Sequence, residues 1–333
     1  MSVSSTALSF SLYAFRFSFR AAESLYFPPG KSGNIVRGAF GSVFRKLACV
    51  PECTDARTCQ LRETCPYARI FEPSAIGRGP SGLADPPRPF VFRAAHLDGR
   101  AVRPGERFHF DAHIFDLKDP ALAYFVLSFA QLAHEGLGPG RGRAELERVD
   151  QLGADREPRV EVFDGRTFVI HGALPPMELD LRPRPEPVCR LRVLFVTPTE
   201  LKEGGEMVLR PEFGVLFARI RDRLSTLRAL YGPGPLEMDF KAMGQRAAQV
   251  RLARSALRWT ETTRRSGKSG QVHPFGGFTG EAEYEGDLAE FLPFLEAAQW
   301  TGVGRQTVWG KGEMRVLREV SGLLPRGGMR PSA

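Results

Sequence analysis

The sequence predicts an α+β chain in which one strand–helix plan is used twice. Three observations point that way. Apolar residues alternate with period two in short segments and recur with period 3.6 in longer ones. The segment order in the first half is strand, helix, strand, strand, helix, glycine-rich turn, strand, and the second half repeats it with hardly a residue in common. A proline-rich stretch, R-P-R-P-E-P (182–187), separates the halves. The chain has 333 residues, 42% of them hydrophobic and 25% charged, enough to bury a sizeable core.

Residues 13–20, Y-A-F-R-F-S-F-R, put Phe15, Phe17 and Phe19 on one face and Arg16, Ser18 and Arg20 on the other, as in a half-buried strand. Upstream, Leu8, Phe10 and Leu12 have the opposite parity, so either a bulge lies near Tyr13 or the strand begins there. Turn residues fill 26–33, and apolar residues at helical spacing predict a helix over 34–48. A cysteine-bearing segment (49–65) and a Pro/Gly-rich loop (72–89) follow. Two strands come next, at 89–95 and 106–115. Asp119 as N-cap and Pro120 at N1 predict a helix that ends at His134. Strand 143–149 completes the unit, and 158–172 read as an extra hairpin turned at Asp164-Gly165.

This order is the split βαβ arrangement of ferredoxin-like domains. Beyond the linker come a strand (189–196), a long amphipathic helix (213–230), a short helical piece (236–249) and a strand (250–262). A basic hairpin loop (264–270) and a strand (274–286) follow. Asp287 is expected to cap the next helix, after which come the glycine-rich stretch 300–314 and a last strand (313–317). The expected fold is therefore two tandem ferredoxin-like (RRM-like) domains, 1–183 and 188–320. The first carries the cysteine-rich insertion, and 321–333 are a disordered tail.

Lysine and arginine number 46 against 38 acidic residues, a net charge of +8. The excess favours an acidic partner, nucleic acid first. No apolar run is long enough to span a bilayer and the N-terminus lacks the layout of a secretory signal, so a cytoplasmic protein is expected. Four of five cysteines cluster: Cys49, Cys53, Cys59 and Cys65. In a reducing compartment that clustering favours a structural metal, zinc ahead of an iron–sulfur cluster, over buried free thiols or redox disulfides.

The stretch W-T-G-V-G-R-Q-T-V-W-G-K-G-E-M (300–314) holds Gly302, Gly304, Gly310 and Gly312 with Arg305 and Lys311 between them. Backbone amides in such a loop can gather around an anion.

Five segments carry a family resemblance: G-N-I-V-R-G-A-F-G (33–41), C-P-Y-A-R-I-F-E-P (65–73), F-V-T-P-T-E-L-K (195–202), G-G-F-T-G-E-A-E-Y-E-G-D-L (276–288) and G-V-G-R-Q-T-V-W-G-K-G (302–312). Over roughly 13–318 the chain resembles the CRISPR-associated endoribonucleases of the RAMP superfamily that process precursor crRNA. The resemblance implies tandem ferredoxin-like domains and binding of CRISPR repeat RNA through the terminal glycine-rich loop. It also implies cleavage without a metal or other cofactor, in which a repeat 2′-hydroxyl attacks the adjacent phosphate to leave a 2′,3′-cyclic phosphate. Subunits of a CRISPR effector complex are possible further partners; no membrane is.

Cations for phosphates would come from Arg37, Lys46, Arg264, Arg265, Lys268, Arg305 and Lys311, and Trp309 would offer a base-stacking surface. Proton transfer calls for histidine. Many relatives read H-V-G-K before the loop, where this chain has Gly302-Val303-Gly304-Arg305. His273, after the basic hairpin loop, is the first candidate and His134 the second. Tyr26 and Lys31 lie where some relatives place catalytic partners. Two other functions fit the same residues: a non-catalytic RNA-binding subunit, or a metal-stabilised basic domain that binds DNA or a protein.

Overall fold

A computed structural model describes residues 8–261, 263–265, 272–274 and 276–317. The first half contains β1 (Ser9–Ala21), α1 (Ser32–Ala48), α2 (Pro66–Phe71), β2 (Phe90–Arg93), β3 (Arg107–Ile114), α3 (Leu122–Glu135) and β4 (Ala144–Leu152). β5 (Pro158–Asp164) and β6 (Met177–Asp180) follow. The second half contains β7 (Arg190–Thr199), α4 (Phe213–Tyr231), α5 (Phe240–Ala247), β8 (Arg251–Thr260), β9 (Gly277–Glu285), α6 (Leu292–Thr301) and β10 (Met314–Leu317).

The first sheet runs β2-β3-β1-β4-β5, and the second runs β8-β9-β7-β10. Within each half the first strand lies between the third and the fourth, all pairs antiparallel. That is the ferredoxin-like order, and the fold is two tandem ferredoxin-like units. The basic hairpin pairs Arg264 with His273 and Arg265 with Val272. Lys268 and the tail 321–333 lie outside the described residues.

The parity change in β1 has a different cause from either one expected. The strand is continuous from Ser9, and its register with β3 runs unbroken from Tyr13 to Arg20. Alternation never lapses. Phe15, Phe17 and Phe19 enter the first core beneath α1 and α3, whereas Phe10, Leu12 and Ala14, on the opposite face, enter the second core with α4 and α6. One strand thus serves two cores, and its outer face becomes polar at Arg16 where the second core ends. β6, which the sequence reading missed, pairs with Ser9–Leu12.

Phe40 of α1 sits at the centre of the first core, with Phe44, Phe71, Phe90, Phe92, Phe125 and Phe129 within 6.1 Å between ring centroids. Each such ring pair adds about 0.5–1.5 kcal/mol beyond its buried area.

Two expected caps are not caps. Asp119 stands outside α3, whose N-cap is Ala121, because its carboxylate takes an ion pair with Arg69 and accepts the Ala121 amide. Asp287 lies ahead of a turn in which Leu288 O accepts from Leu292 N, and α6 begins at Leu292.

The halves meet at the C-terminus of α6. Trp300 O accepts from Arg93 Nη2 at 2.9 Å and from His113 Nδ1 at 2.8 Å, while Thr301 O accepts from Arg223 Nε at 3.2 Å. Arg93 and His113 belong to the first sheet and Arg223 to α4. The last carbonyls of a helix lack intrahelical partners and carry its negative end, so cations there satisfy and stabilise it. The His113 ring also packs against Trp300, 4.9 Å between centroids, and the Arg156 guanidinium lies 4.7 Å over the Trp300 ring.

Burial, with Arg93 nearby, holds His113 well below the ordinary imidazole value. The folded protein therefore binds fewer protons here than the unfolded chain, and this contribution to stability is lost as pH falls below about 6.5. His109 is displaced in the same direction, chiefly by burial. Urea unfolding should show stability falling from pH 7 to pH 5. His113→Asn, whose amide can keep the bond to Trp300, should flatten that fall; an unchanged profile would remove His113 as its source.

Candidate functional site

The residues between α6 and β10 form a closed loop. Gly302, Gly304, Gly310 and Gly312 all have positive φ, between 70° and 88°. Val303 N donates to Gly312 O, Gly312 N to Pro198 O and Arg305 N to Glu200 O, so the loop folds on itself and onto the end of β7. At Gly302 a Cβ would stand 3.0 Å from Gly312 O and 3.3 Å from Arg93 Nη2. At this position, where many relatives carry histidine, a side chain would crowd both groups and impose a strained positive φ.

Gly310 packs against Gly33 in the first turn of α1, where a Cβ on Gly33 would lie 2.8 Å from Gly310 Cα. Two backbones meet at that contact, and a shallow cleft opens beside it. Its walls are the start of α1 (Ser32, Gly33), the segment holding Ala95 and Asp98, the end of β7 (Thr197, Pro198), and Trp309, Gly310 and Lys311 of the loop. Asp98 accepts the Ser32 amide at 3.0 Å and so faces the positive end of α1. Lys31 is the residue at the N-cap of α1, beside the cleft.

Lys311 does not present its charge for phosphate. Its side chain is fully buried, and Nζ donates to Gly276 O at 2.6 Å, Gln306 Oε1 at 3.0 Å and Glu200 Oε2 at 3.1 Å. Burial pulls the Lys311 ammonium below its ordinary value against the attraction of Glu200. Burial also opposes ionisation of Glu200, but Lys311 and Arg305 together hold its carboxyl below the usual range. Lys311 is a staple within the loop. Arg305 pairs with the same carboxylate at 2.8 Å yet keeps about half its side chain exposed (56%). Of the two loop cations it is the one a polyanion could reach.

Trp309 is half-buried and lines the cleft. It packs against the first core, and the Arg37 guanidinium lies 5.6 Å from its ring and 4.2 Å over Phe71. Arg37 thus joins α1, α2 and the loop in one stack. Lys46 pairs with Glu135 at 3.0 Å on the exposed side of α1 and α3. His134 is exposed in the last turn of α3, and Tyr26 is half exposed in the short strand Leu25–Tyr26; neither lines the cleft. His273 stands opposite Arg264 in the short hairpin.

Two histidines that sequence reasoning did not choose come together beside the first sheet, His109 on β3 and His96 in the turn after β2. His96 and His109 stack with centroids 4.6 Å apart and ring planes 28° from parallel. His96 Nε2 donates to His109 O at 2.9 Å, which leaves its Nδ1 as the acceptor in the neutral ring. Burial first, then His96 and Arg16, push His109 below the ordinary imidazole value. His96 follows directly on Ala95 of the cleft wall. Alternation in 106–115 placed His109 on a polar face, but His96 lies in a loop with no pattern to single it out.

Cys49, Cys53, Cys59 and Cys65 are half-buried free thiols between α1 and α2. Among the described residues no three Cys, His, Asp or Glu side chains are arranged to hold one metal ion. No helix among them is long and apolar enough to cross a membrane.

Replacing Lys311 by methionine would leave Glu200 buried with half its partners, a loss worth about 3–5 kcal/mol for a buried pair. Denaturant unfolding should show that drop, with partial recovery in Lys311→Met/Glu200→Gln. A Lys311→Met variant as stable as the parent would contradict the staple.

Comparison with known proteins places this geometry. Residues 193–314 match the family model of the CRISPR-associated endoribonuclease Cas6, and residues 10–174 match an N-terminal domain family, AF_1859_N. An uncharacterized protein of Archaeoglobus fulgidus is 26% identical over 314 residues, covering 93% of this chain and 99% of the relative. The fold is similar to a Thermus thermophilus Cas6 in a product complex, with TM-score 0.53, 17% identity, and coverage of 94% of this chain and 100% of that one. It is also similar to a chain of a partial Cas6-RT-Cas1–Cas2 complex, with TM-score 0.56, 12% identity, and coverage of 98% of this chain and 49% of that one.

Proposed function

We propose that this chain, a member of the CRISPR-associated endoribonuclease Cas6 family through residues 193–314, binds CRISPR repeat RNA and cleaves precursor crRNA without a metal ion. One observation carries the reading: the family's domain ends in a glycine-rich loop docked, backbone to backbone, on the start of α1. The partner is repeat RNA, the setting is cytoplasmic, and subunits of a CRISPR effector complex are further candidates.

In the proposed reaction a repeat 2′-hydroxyl loses its proton and attacks the adjacent phosphorus. The P–O5′ bond breaks, leaving a 2′,3′-cyclic phosphate and a protonated 5′-hydroxyl. A base and an acid are needed, and a cation to meet the phosphorane charge. Burial pulls His109 below the ordinary imidazole value, which favours the neutral form a base requires. The stacked His96 supplies a second imidazole beside the cleft wall. Arg305, and Lys31 at the start of α1, are the cations placed to meet phosphate. His273, His134 and Tyr26 are alternatives for proton transfer; His134 and Tyr26 lie outside the cleft lining.

The second reading is a non-catalytic RNA-binding subunit of an effector complex. Gly302 favours it, since the tight contacts and positive φ there disfavour the histidine of many relatives.

End-labelled repeat RNA incubated with the protein in excess EDTA distinguishes the two. Cleavage to a cyclic phosphate, abolished by one 2′-deoxy substitution, is expected; tight binding with no cleavage at any protein concentration establishes the second reading. Where cleavage occurs, His96→Asn and His109→Asn should each slow it roughly 100-fold or more at unchanged RNA affinity. Full activity in both, with loss in His273→Ala or His134→Ala, would move the proton chemistry there.

A further inference from the structure

The cysteine segment, independent of the RNA-processing reading, is the part of the first domain that no core of its own explains. Between α1 and α2 the chain is built of turns. Of residues 50–64 only Ala56 is buried, while Val50 and Leu61 are exposed. Its backbone bonds are local, such as Cys53 N to Val50 O and Arg62 N to Cys59 O, apart from Arg45, which reaches back to Cys53 O and Thr54 O. Local turns of this kind do not offset the conformational entropy of some fifteen ordered residues, at about 1–2 kcal/mol each.

Against that background the thiols are less exposed than their neighbours. Cys53 is flanked by exposed Glu52 and Thr54, and Cys59 by exposed Thr58 and Gln60, yet both cysteines are half-buried. Cys49 caps the end of α1 and Cys65 is the N-cap of α2. The Cys49 side chain interacts with those of Cys53 and Cys65, and Cys53 with Cys59, so all four thiols are connected. Among the described residues no three of them are gathered around one point. A tetrahedral ion with Zn–S distances of about 2.3 Å would draw the four thiols together, and no strand or long helix in 50–64 resists the movement.

We infer that Cys49, Cys53, Cys59 and Cys65 together bind one structural zinc ion as thiolates. The ion would tie the end of α1 to the start of α2. α2 delivers Phe71 to α1, where its ring lies so close that a Cβ on Gly41 would be 2.0 Å from it. Arg37 covers that ring and reaches Trp309 of the glycine-rich loop. The zinc would therefore also set the seat of the loop.

Metal analysis of the full-length protein, purified without chelator or added metal, should find about one zinc per chain. Cobalt exchange should give the charge-transfer and d–d absorption of a tetrahedral thiolate site. Cys53→Ser and Cys59→Ser should each lose most of the metal and lower the thermal midpoint. Cys189→Ser, at an exposed position, should keep the full equivalent. The measurement on the unaltered protein does not depend on any variant folding. Zinc absent with all four thiols titrating freely overturns the site. So does a disulfide among them, or iron with the visible absorption of a cluster.

Discussion

The contact on which the rest depends is the capping of α6. Its final carbonyls point at the first sheet, and Arg93, His113 and Arg223 converge on them. A helix end buried without donors would cost free energy for every orphan carbonyl. Here donors from two strands of one half and a helix of the other meet that need. The glycine-rich loop begins at the next residue, so the cap fixes where the loop starts. Gly302 follows from this: a side chain there would crowd Arg93 and the returning Gly312.

Much of the fold was legible in the sequence, because two-residue and 3.6-residue periodicities report which face is buried. The repeated element order gave both sheets, and the aromatic alternation of β1 gave the first core. What periodicity cannot report is which core a face belongs to. Phe10, Leu12 and Ala14 alternate as faithfully as Phe15, Phe17 and Phe19, but they answer to a different partner. Caps failed where a tertiary partner outbid a local one: Asp119 reads as a helix cap until Arg69, fifty residues earlier, takes its carboxylate.

The site was half legible for a related reason. A sequence shows how many cations a loop carries, not which carboxylates will reach them. Glu200 lies more than a hundred residues before the loop and binds both Arg305 and Lys311. The same pairing recurs over the surface. Arg16 is matched by Asp111, Arg20 and Arg107 share Glu147, and on the second sheet Arg190, Arg192 and Arg251 face Glu283, Glu281 and Glu285. The net charge of +8 is thus the remainder of a largely neutralised arginine set. An RNA strand laid on these faces must exchange carboxylates for phosphates, which tempers the gain from counterion release. The stacked His96 and His109 show the converse case, two unremarkable residues made notable only by strand and loop meeting.

The shared strand β1 also bears on how the polypeptide comes into being. Chains fold as they leave the ribosome, N-terminal portions first. Phe15, Phe17 and Phe19 can find their partners as soon as β4 has been synthesised. Phe10, Leu12 and Ala14, on the same strand, need α4 and α6, whose residues are among the last to appear. From the completion of β4 until α4 and then α6 have been made, the first half thus holds an apolar patch open. The nascent protein has a built-in wait, during which that patch must be kept from other chains.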